Sequence, residues 1–172
     1  MRQGLRVGML IGLATALMAA STAWAIYPPA IRDEGKFFTK EGLDKANLKI
    51  RELYEKYKKD VVVETLPALT ADQAKKMDED GKGKYFAKLA RDTSVKMGLN
   101  GIYILVVKKP QHLQVHMDPD TQKKLFTAGD RKILIEKLIG QFKDDQFDAG
   151  LLEGLTAIEA ALKANSANAA KK

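Results

Sequence analysis

The segment that most constrains the fold of this 172-residue chain is Ile-Tyr-Ile-Leu-Val-Val, residues 102–107. The run is almost wholly apolar and rich in β-formers, which predicts a strand buried on both faces. A second run, residues 61–66, contains three successive valines and ends at Pro67, and it predicts another covered strand. Helical patterns precede, separate and follow these two strands. We therefore expect an α/β fold: a single three-layer α/β/α sandwich with a small mixed β-sheet.

Amphipathic periodicity predicts the helices that cover this sheet. Thr39 is a candidate N-cap for the first of them, and Thr70 with Gln73 form a weak capping box before a short second one. Gly98 is a natural residue to end the third. The predicted helices span residues 40–59, about 70–77, about 86–97, 129–143 and 146–164. Between the second and third, residues 78–84 are rich in glycine and charge and predict a loop.

The chain after residue 107 has the pattern of a β-hairpin. Residues 108–111 are a turn, and Leu113, Val115 and Met117 then alternate with polar residues, as in a half-exposed strand. His112 and His116 are the only histidines of the chain. Four residues apart on a strand, their side chains are roughly 13 Å apart and cannot ligate one ion.

The first 25 residues have the three parts of a secretory signal peptide. Arg2 and Arg6 are positive, residues 7–20 are uncharged and apolar, and Ala23-Trp24-Ala25 is a cleavage signal. An uncleaved anchor is the alternative, since residues 7–25 are just long enough to span a bilayer. We expect cleavage, one domain over residues 26–163, and a disordered tail over 164–172. The protein is then periplasmic or secreted, with no transmembrane segment after cleavage.

Composition excludes several kinds of chemistry. The chain has no cysteine, so it has no disulfide, no thiolate metal site and no cysteine nucleophile. It also lacks the Walker A and G-x-S-x-G motifs. The net charge is +7, but the lysines alternate with acids and no aromatic platform accompanies them, which argues against nucleic acid as a partner.

Several acidic and amide residues are candidate ligands. Residues 78–81, Asp-Glu-Asp-Gly, do not fit an EF-hand, because Lys76 and Ala87 would stand where its end ligands belong. Asn100-Gly101 indicates a tight turn in which Gly101 lets two backbones approach, or alternatively a ligand at a cleft. Asp130 falls in a first helical turn, where the helix dipole favours a carboxylate for structural reasons.

Several segments, in the same order, resemble the TPM domain family, which includes thylakoid-lumen proteins of photosystem II repair and many exported bacterial proteins. Asp33 lies a few residues before Phe37-Phe38-Thr39, as in the opening of that family. Residues 86–98 are similar to its second helix, and residues 100–107 resemble its central Asn-Gly strand. Residues 145–155, DQFDAGLLEGL, resemble its C-terminal signature. The resemblance covers about residues 30–163.

The resemblance implies the same α/β/α sandwich, and it implies activities described for family members, acid phosphatase and calcium binding. This chain departs from the family at two places. It has Leu99 where the family has aspartate, and it has Asp-Pro-Asp-Thr-Gln at residues 118–122 where the family has a glycine-rich stretch. Phe126-Thr127 and Asp130 match a later Leu-Thr-Asp only loosely. What remains for a metal site, with Ca²⁺ or Mg²⁺ as the ion, is Asp33, Asn100, Asp118 and Asp130.

These observations favour a non-catalytic binding or accessory protein of the cell envelope with an envelope protein as its partner, because the core pattern is intact and the polar site is eroded. A divalent-metal-dependent phosphatase is the alternative. It requires the four candidate ligands to lie within roughly 6–7 Å of one another. A third reading is contact with anionic surfaces through the net charge, which falls from +7 to +5 when Arg2 and Arg6 are removed.

Overall fold

The two apolar runs are the central strands of a four-stranded sheet in the computed structural model, which describes residues 31–169. The predicted signal peptide lies outside the described residues. The strands are β1 Ile31–Asp33, β2 Asp60–Leu66, β3 Gly101–Val107 and β4 His112–Met117. The helices are α1 Lys40–Tyr57, α2 Ala71–Asp80, α3 Lys82–Lys96, α4 Pro119–Lys124, α5 Ala128–Phe142 and α6 Phe147–Ala169.

The sheet follows chain order, β1-β2-β3-β4. Strands β1, β2 and β3 are parallel, and β4 returns antiparallel to β3, which confirms the predicted hairpin and the mixed sheet. Thr65 of β2 pairs with Asp33 on one side and Val106 on the other, so these residues mark the carboxyl edge of the parallel strands. Asp60 pairs with Gly101 and marks the opposite, amino edge.

Helices α1, α5 and α6 cover one face of the sheet. Alternate residues of the central strands point into this layer, and α6 contributes a row of leucine and isoleucine side chains that are almost fully buried. The 3.6-residue period places them on one face of the helix. They are Leu151, Leu155, Ile158 and Leu162.

Helices α2 and α3 cover the other face. Phe86 and Ala90 of α3 are fully buried against Tyr103 and Leu105, which are the β3 residues that point away from α1. The sheet is therefore enclosed between two helical layers, and the predicted three-layer α/β/α sandwich is confirmed. Within residues 31–169, none of the helices combines the length and apolar character needed to cross a membrane.

The predicted loop over residues 78–84 is wrong. Helix α2 runs to Asp80 and α3 begins at Lys82, so Gly81 alone separates them. Gly81 has a φ of +82°, which glycine adopts without the steric cost that other residues would meet. A single residue can therefore connect α2 to α3. Thr70 and Gln73 form the predicted capping box at the start of α2.

Two further differences lie after the hairpin. The sequence did not predict α4, which begins with Asp118 as N-cap and proline at its first position. Helix α6 continues to Ala169, past Ala164, where the sequence predicts the tail to begin. Asn165 explains part of this extension, because its side-chain amide donates to the carbonyl of Leu125 and to the carboxylate of Asp130.

Candidate functional site

The carboxyl edge of the parallel strands is where open α/β sheets commonly bind ligands. Asp33 ends β1 at this edge, and its carboxylate accepts hydrogen bonds from the backbone N–H groups of Phe37 and Phe38, each at 3.0 Å. The hydroxyl of Thr65 donates to the same carboxylate and accepts from the backbone N–H of Gly35. Asp33 thus fixes the conformation of the β1–α1 loop through hydrogen bonds to its backbone.

Asp148, in the first turn of α6, holds the far end of the same loop. Its carboxylate accepts from the backbone N–H of Thr39 at 3.0 Å and from the Thr39 hydroxyl. A Cβ on Gly42 would lie 2.3 Å from the Asp148 carboxyl group, so glycine at this position makes room for the contact. Two carboxylates from distant parts of the chain therefore fix one short segment, residues 35–39.

Two phenylalanines of this segment and two from α5 and α6 are half-buried and form a closed ring of contacts: Phe37, Phe38, Phe142 and Phe147. The Phe37 and Phe147 rings meet edge to face with centroids 5.0 Å apart. The ammonium of Lys108, at the end of β3, lies 4.6 Å from the Phe37 ring centroid, within the range of a cation–π contact. The edge thus presents an ordered loop with aromatic and cationic groups next to it.

Asn100 lies at the opposite, amino edge of the sheet. Its backbone N–H donates to the carboxylate of Asp60, and its side-chain oxygen accepts from the ammonium of Lys59. Asp118 is near it, since the Asp118 backbone N–H donates to the carbonyl of Gly101. Asn100 therefore orders the junction between α1 and β2 rather than opening onto a cleft.

Asp118 and Asp130 both lie at the beginnings of helices. Asp118 caps α4 by accepting from the backbone N–H groups of Asp120 and Thr121. Burial alone would raise the pKa of Asp118, but the hydrogen bonds from Thr121 and the nearby charge of Lys59 outweigh it and hold the pKa below its ordinary value. Asp130 forms a capping box with Thr127 at the start of α5.

The four predicted metal ligands do not form one site. Gly101, the residue after Asn100, pairs with Asp60, and Asp33 pairs with Thr65, five residues further along β2. At about 3.3 Å per residue, the two side chains start about 17 Å apart, well beyond the span of one ion's ligand shell. Within the described residues, no three His, Asp or Glu side chains are placed to share a metal ion. The four candidate ligands are therefore not placed to share one calcium or magnesium ion, because Asp33 and Asn100 lie at opposite edges of the sheet.

The other titratable groups inside the fold are also dispersed. Tyr103 donates its hydroxyl proton to Glu64 between the sheet and α3. Burial, reinforced by Glu64, raises the pKa of Tyr103 far above its ordinary value, so the phenol stays protonated. His112 stacks on Phe86 with ring centroids 4.0 Å apart. The His112 ring nitrogen Nε2 is hydrogen-bonded to the side-chain oxygen of Gln114.

Sequence reasoning named Asp33 but missed Thr65, Lys108 and Asp148 as its companions at the carboxyl edge. Asp148 lies inside the C-terminal signature that the sequence singled out, so that signature was the signal available for it. Thr65 and Lys108 carried no such signal, because only strand register brings them to this edge.

Together these features define a class: an α/β/α sandwich whose carboxyl edge holds a loop fixed by two carboxylates. Comparison with known protein families matches residues 31–161 to the TPM domain. The chain belongs to the TPM domain family.

Solved structures agree on the fold at low sequence identity. The N-terminal domain of a protein from P. gingivalis, determined by solution NMR, is 19% identical with a TM-score of 0.60; the match covers 79% of this chain and 83% of that one. The BA42 protein of the psychrophilic bacterium Bizionia argentinensis, also an NMR structure, is 17% identical with a TM-score of 0.57; the match covers 74% and 82%. No curated protein matches the chain.

Proposed function

We propose that this protein is an exported TPM domain that acts as a non-catalytic binding or accessory protein of the cell envelope. One observation carries the proposal. The carboxylates of Asp33, Asp118 and Asp130 each accept backbone N–H groups of their own loop or helix start. A carboxylate used in this way orders the backbone. At Asp33 both oxygens are engaged, so an ion would have to compete with those bonds.

The carboxyl edge is the surface that we assign to binding. Asp33 and Asp148 hold residues 35–39 in one conformation, and a loop ordered before binding loses less entropy when a partner docks. Lys36 is exposed in this loop, and Lys108 lies against Phe37 beside it. These groups suit a protein partner that offers acidic and apolar side chains together.

Metal-dependent phosphatase activity is tested on purified, metal-stripped protein. Thermal unfolding is followed with and without about 1–5 mM Ca²⁺ or Mg²⁺, a range suited to weak extracellular sites. Hydrolysis of para-nitrophenyl phosphate is measured in the same buffers. We expect an unchanged midpoint and no hydrolysis above the buffer blank, because a specific ligand would raise the midpoint by mass action.

Asp33→Asn and Asp118→Asn identify the source of any midpoint shift. Asp92→Asn is the matched control, since Asp92 is a partly exposed carboxylate on α3 that pairs with Lys88 on the same helix. A shift of several degrees that the first two variants abolish and the control retains would overturn the non-catalytic proposal in favour of the phosphatase.

Binding and export are tested in cells that make the protein. A photo-crosslinking residue placed at Lys36 should give one discrete adduct with an envelope protein, whereas the same probe at Val95, which is 73% exposed on α3, should not. Identical adducts from both positions, or none from Lys36, would contradict a binding role for the carboxyl edge. Export predicts that the purified protein begins at Ile26, as N-terminal sequencing would show.

A further inference from the structure

Two of the four predicted metal ligands, Asn100 and Asp118, come to the same edge of the sheet. Gly101, the residue after Asn100, pairs with Asp60, and its carbonyl accepts from the backbone N–H of Asp118 at 3.1 Å. Asp60 accepts the backbone N–H of Asn100 at 2.9 Å through one oxygen of its carboxylate. We call Asp60, Asn100 and Asp118 the amino-edge cluster. Its carboxylate and amide oxygens are of the kind that Ca²⁺ and Mg²⁺ prefer.

A lysine ammonium already contacts this cluster. Lys59 immediately precedes β2, its side chain is partly buried, and its Nζ donates to the side-chain oxygen of Asn100 at 2.5 Å. Burial alone would raise the pKa of Asp118, whereas contacts with Thr121 and the charge of Lys59 lower it, so the ammonium acts on this carboxylate as well. Lys59 thus brings one positive charge and three hydrogen-bond donors to the oxygen atoms of the cluster.

Two buried oxygen atoms beside the cluster are not used by the hydrogen bonds of the fold. Asp118 caps α4 with Oδ1, whereas its Oδ2 is buried and has no hydrogen-bond partner within residues 31–169. The Thr121 side chain is fully buried, and its hydroxyl also lacks a partner of ordinary geometry in that part of the chain. Buried polar atoms are nearly always paired, and a buried carboxylate oxygen without a donor favours a positive charge nearby.

We propose that the Lys59 ammonium is the resident cation of the amino-edge cluster and takes the part that a divalent ion would play between Asn100 and Asp118. An ammonium on a flexible stem needs no exact coordination geometry, so it suits a cluster with only two carboxylates. The inference rests on the proposed non-catalytic function, because an ammonium supplies neither the open coordination positions nor the activated water of a metal ion.

Removal of the ammonium tests the inference on the purified, metal-stripped protein. Lys59→Met keeps most of the side-chain length and leaves the carboxylates of Asp60 and Asp118 without this cation. Ca²⁺ at about 1–5 mM should then raise the thermal midpoint of the variant by several degrees, and calorimetric titration with Ca²⁺ should show one site. Lys59→Arg keeps the charge and should stay as insensitive to Ca²⁺ as the unchanged chain. If Lys59→Met is unfolded without metal, the same titration is followed as recovery of its circular dichroism.

Two further variants locate the ion. Lys88→Met is the matched control, because it also removes an ammonium from beside a carboxylate, that of Asp92 on the same helix, and it should gain no response to Ca²⁺. The double variant Lys59→Met/Asp118→Asn should lose the response. A Lys59→Met midpoint that Ca²⁺ leaves unchanged, or a response that persists in the double variant, would overturn this inference and leave the proposed function intact. A response of the unchanged chain that Asp118→Asn abolishes would overturn both.

Discussion

The structural role of Gly101 could be predicted from the sequence, whereas the role of its neighbour Asn100 could not. A Cβ on Gly101 would lie 2.0 Å from the backbone oxygen of Asp60 and 2.6 Å from its nitrogen. The expectation that Gly101 permits a close backbone approach is confirmed. Whether Asn100 could act as a ligand depended on which other side chains lie at the same edge of the sheet. The register between β2 and β3 decides this, and the local sequence does not reveal it.

Gly101→Ala should lower the free energy of unfolding by at least about 2 kcal/mol, because the new methyl group meets backbone atoms that cannot move aside. Gly83→Ala is the matched control: no heavy atom lies within 4 Å of its Cβ position in α3, and alanine there should be neutral or stabilising by up to about 1 kcal/mol. Urea unfolding measures both. Equal midpoints for the two variants would contradict the close approach.

At the scale of elements, the starts of α1 and α2 were predictable because their caps depend on residues three or four positions apart. Thr39 caps α1 as expected, accepting from the backbone N–H of Gly42. The second partner of Thr39 is Asp148, which is 109 residues further along the chain. No local pattern can reveal a contact of that separation, and for the same reason the companions of Asp33 at the carboxyl edge were missed.

Thr39→Ala should cost about 1–2 kcal/mol of stability, since it removes a helix cap and leaves the Asp148 carboxylate with one hydrogen bond fewer. Thr70→Ala, at the cap of α2, should cost less, because no residue of α2 is buried. A double-mutant cycle with Asp148→Asn should give a coupling energy of at least about 0.5 kcal/mol. Strict additivity of the two changes would rule out the bridge between α1 and α6.

For the whole molecule, the sequence predicted three layers but not which helix lies in which layer. The β1–β2 and β2–β3 connections step the same way across the sheet, yet α1 lies on one face and α3 on the other. The two crossovers therefore have opposite hands, although crossovers between parallel strands are almost always right-handed. A general rule applied to the sequence would have placed both on one face.

The stability of the whole molecule should fall as pH falls from 7.5 to about 5, around the ordinary pKa of histidine. Burial lowers the pKa of His112 and His116 in the folded state, helped by Lys82 for the former and Arg91 for the latter. The unfolded chain therefore takes up protons first as the pH falls, which favours unfolding until the folded-state pKa is passed. Urea unfolding at several pH values measures the slope.

The double variant His112→Gln/His116→Gln is the control for this slope and should flatten it. Carboxyls with lowered pKa values, such as Asp118, stay ionised over this range and do not contribute. Stability that stays constant, or that rises as the solution is acidified, would show that the two imidazoles are not disfavoured in their charged form.

The position of α6 as the last element of the sandwich has a consequence for when this domain can finish folding. Its buried row, from Leu151 to Leu162, completes the core against α1, which lies more than 90 residues earlier in the sequence. A chain emerging N-terminus first, from a ribosome or a translocation pore, can pair its strands in order as each appears. It cannot close the core of the domain until α6 has emerged. Completion of the fold therefore waits for a segment that is made long after α1.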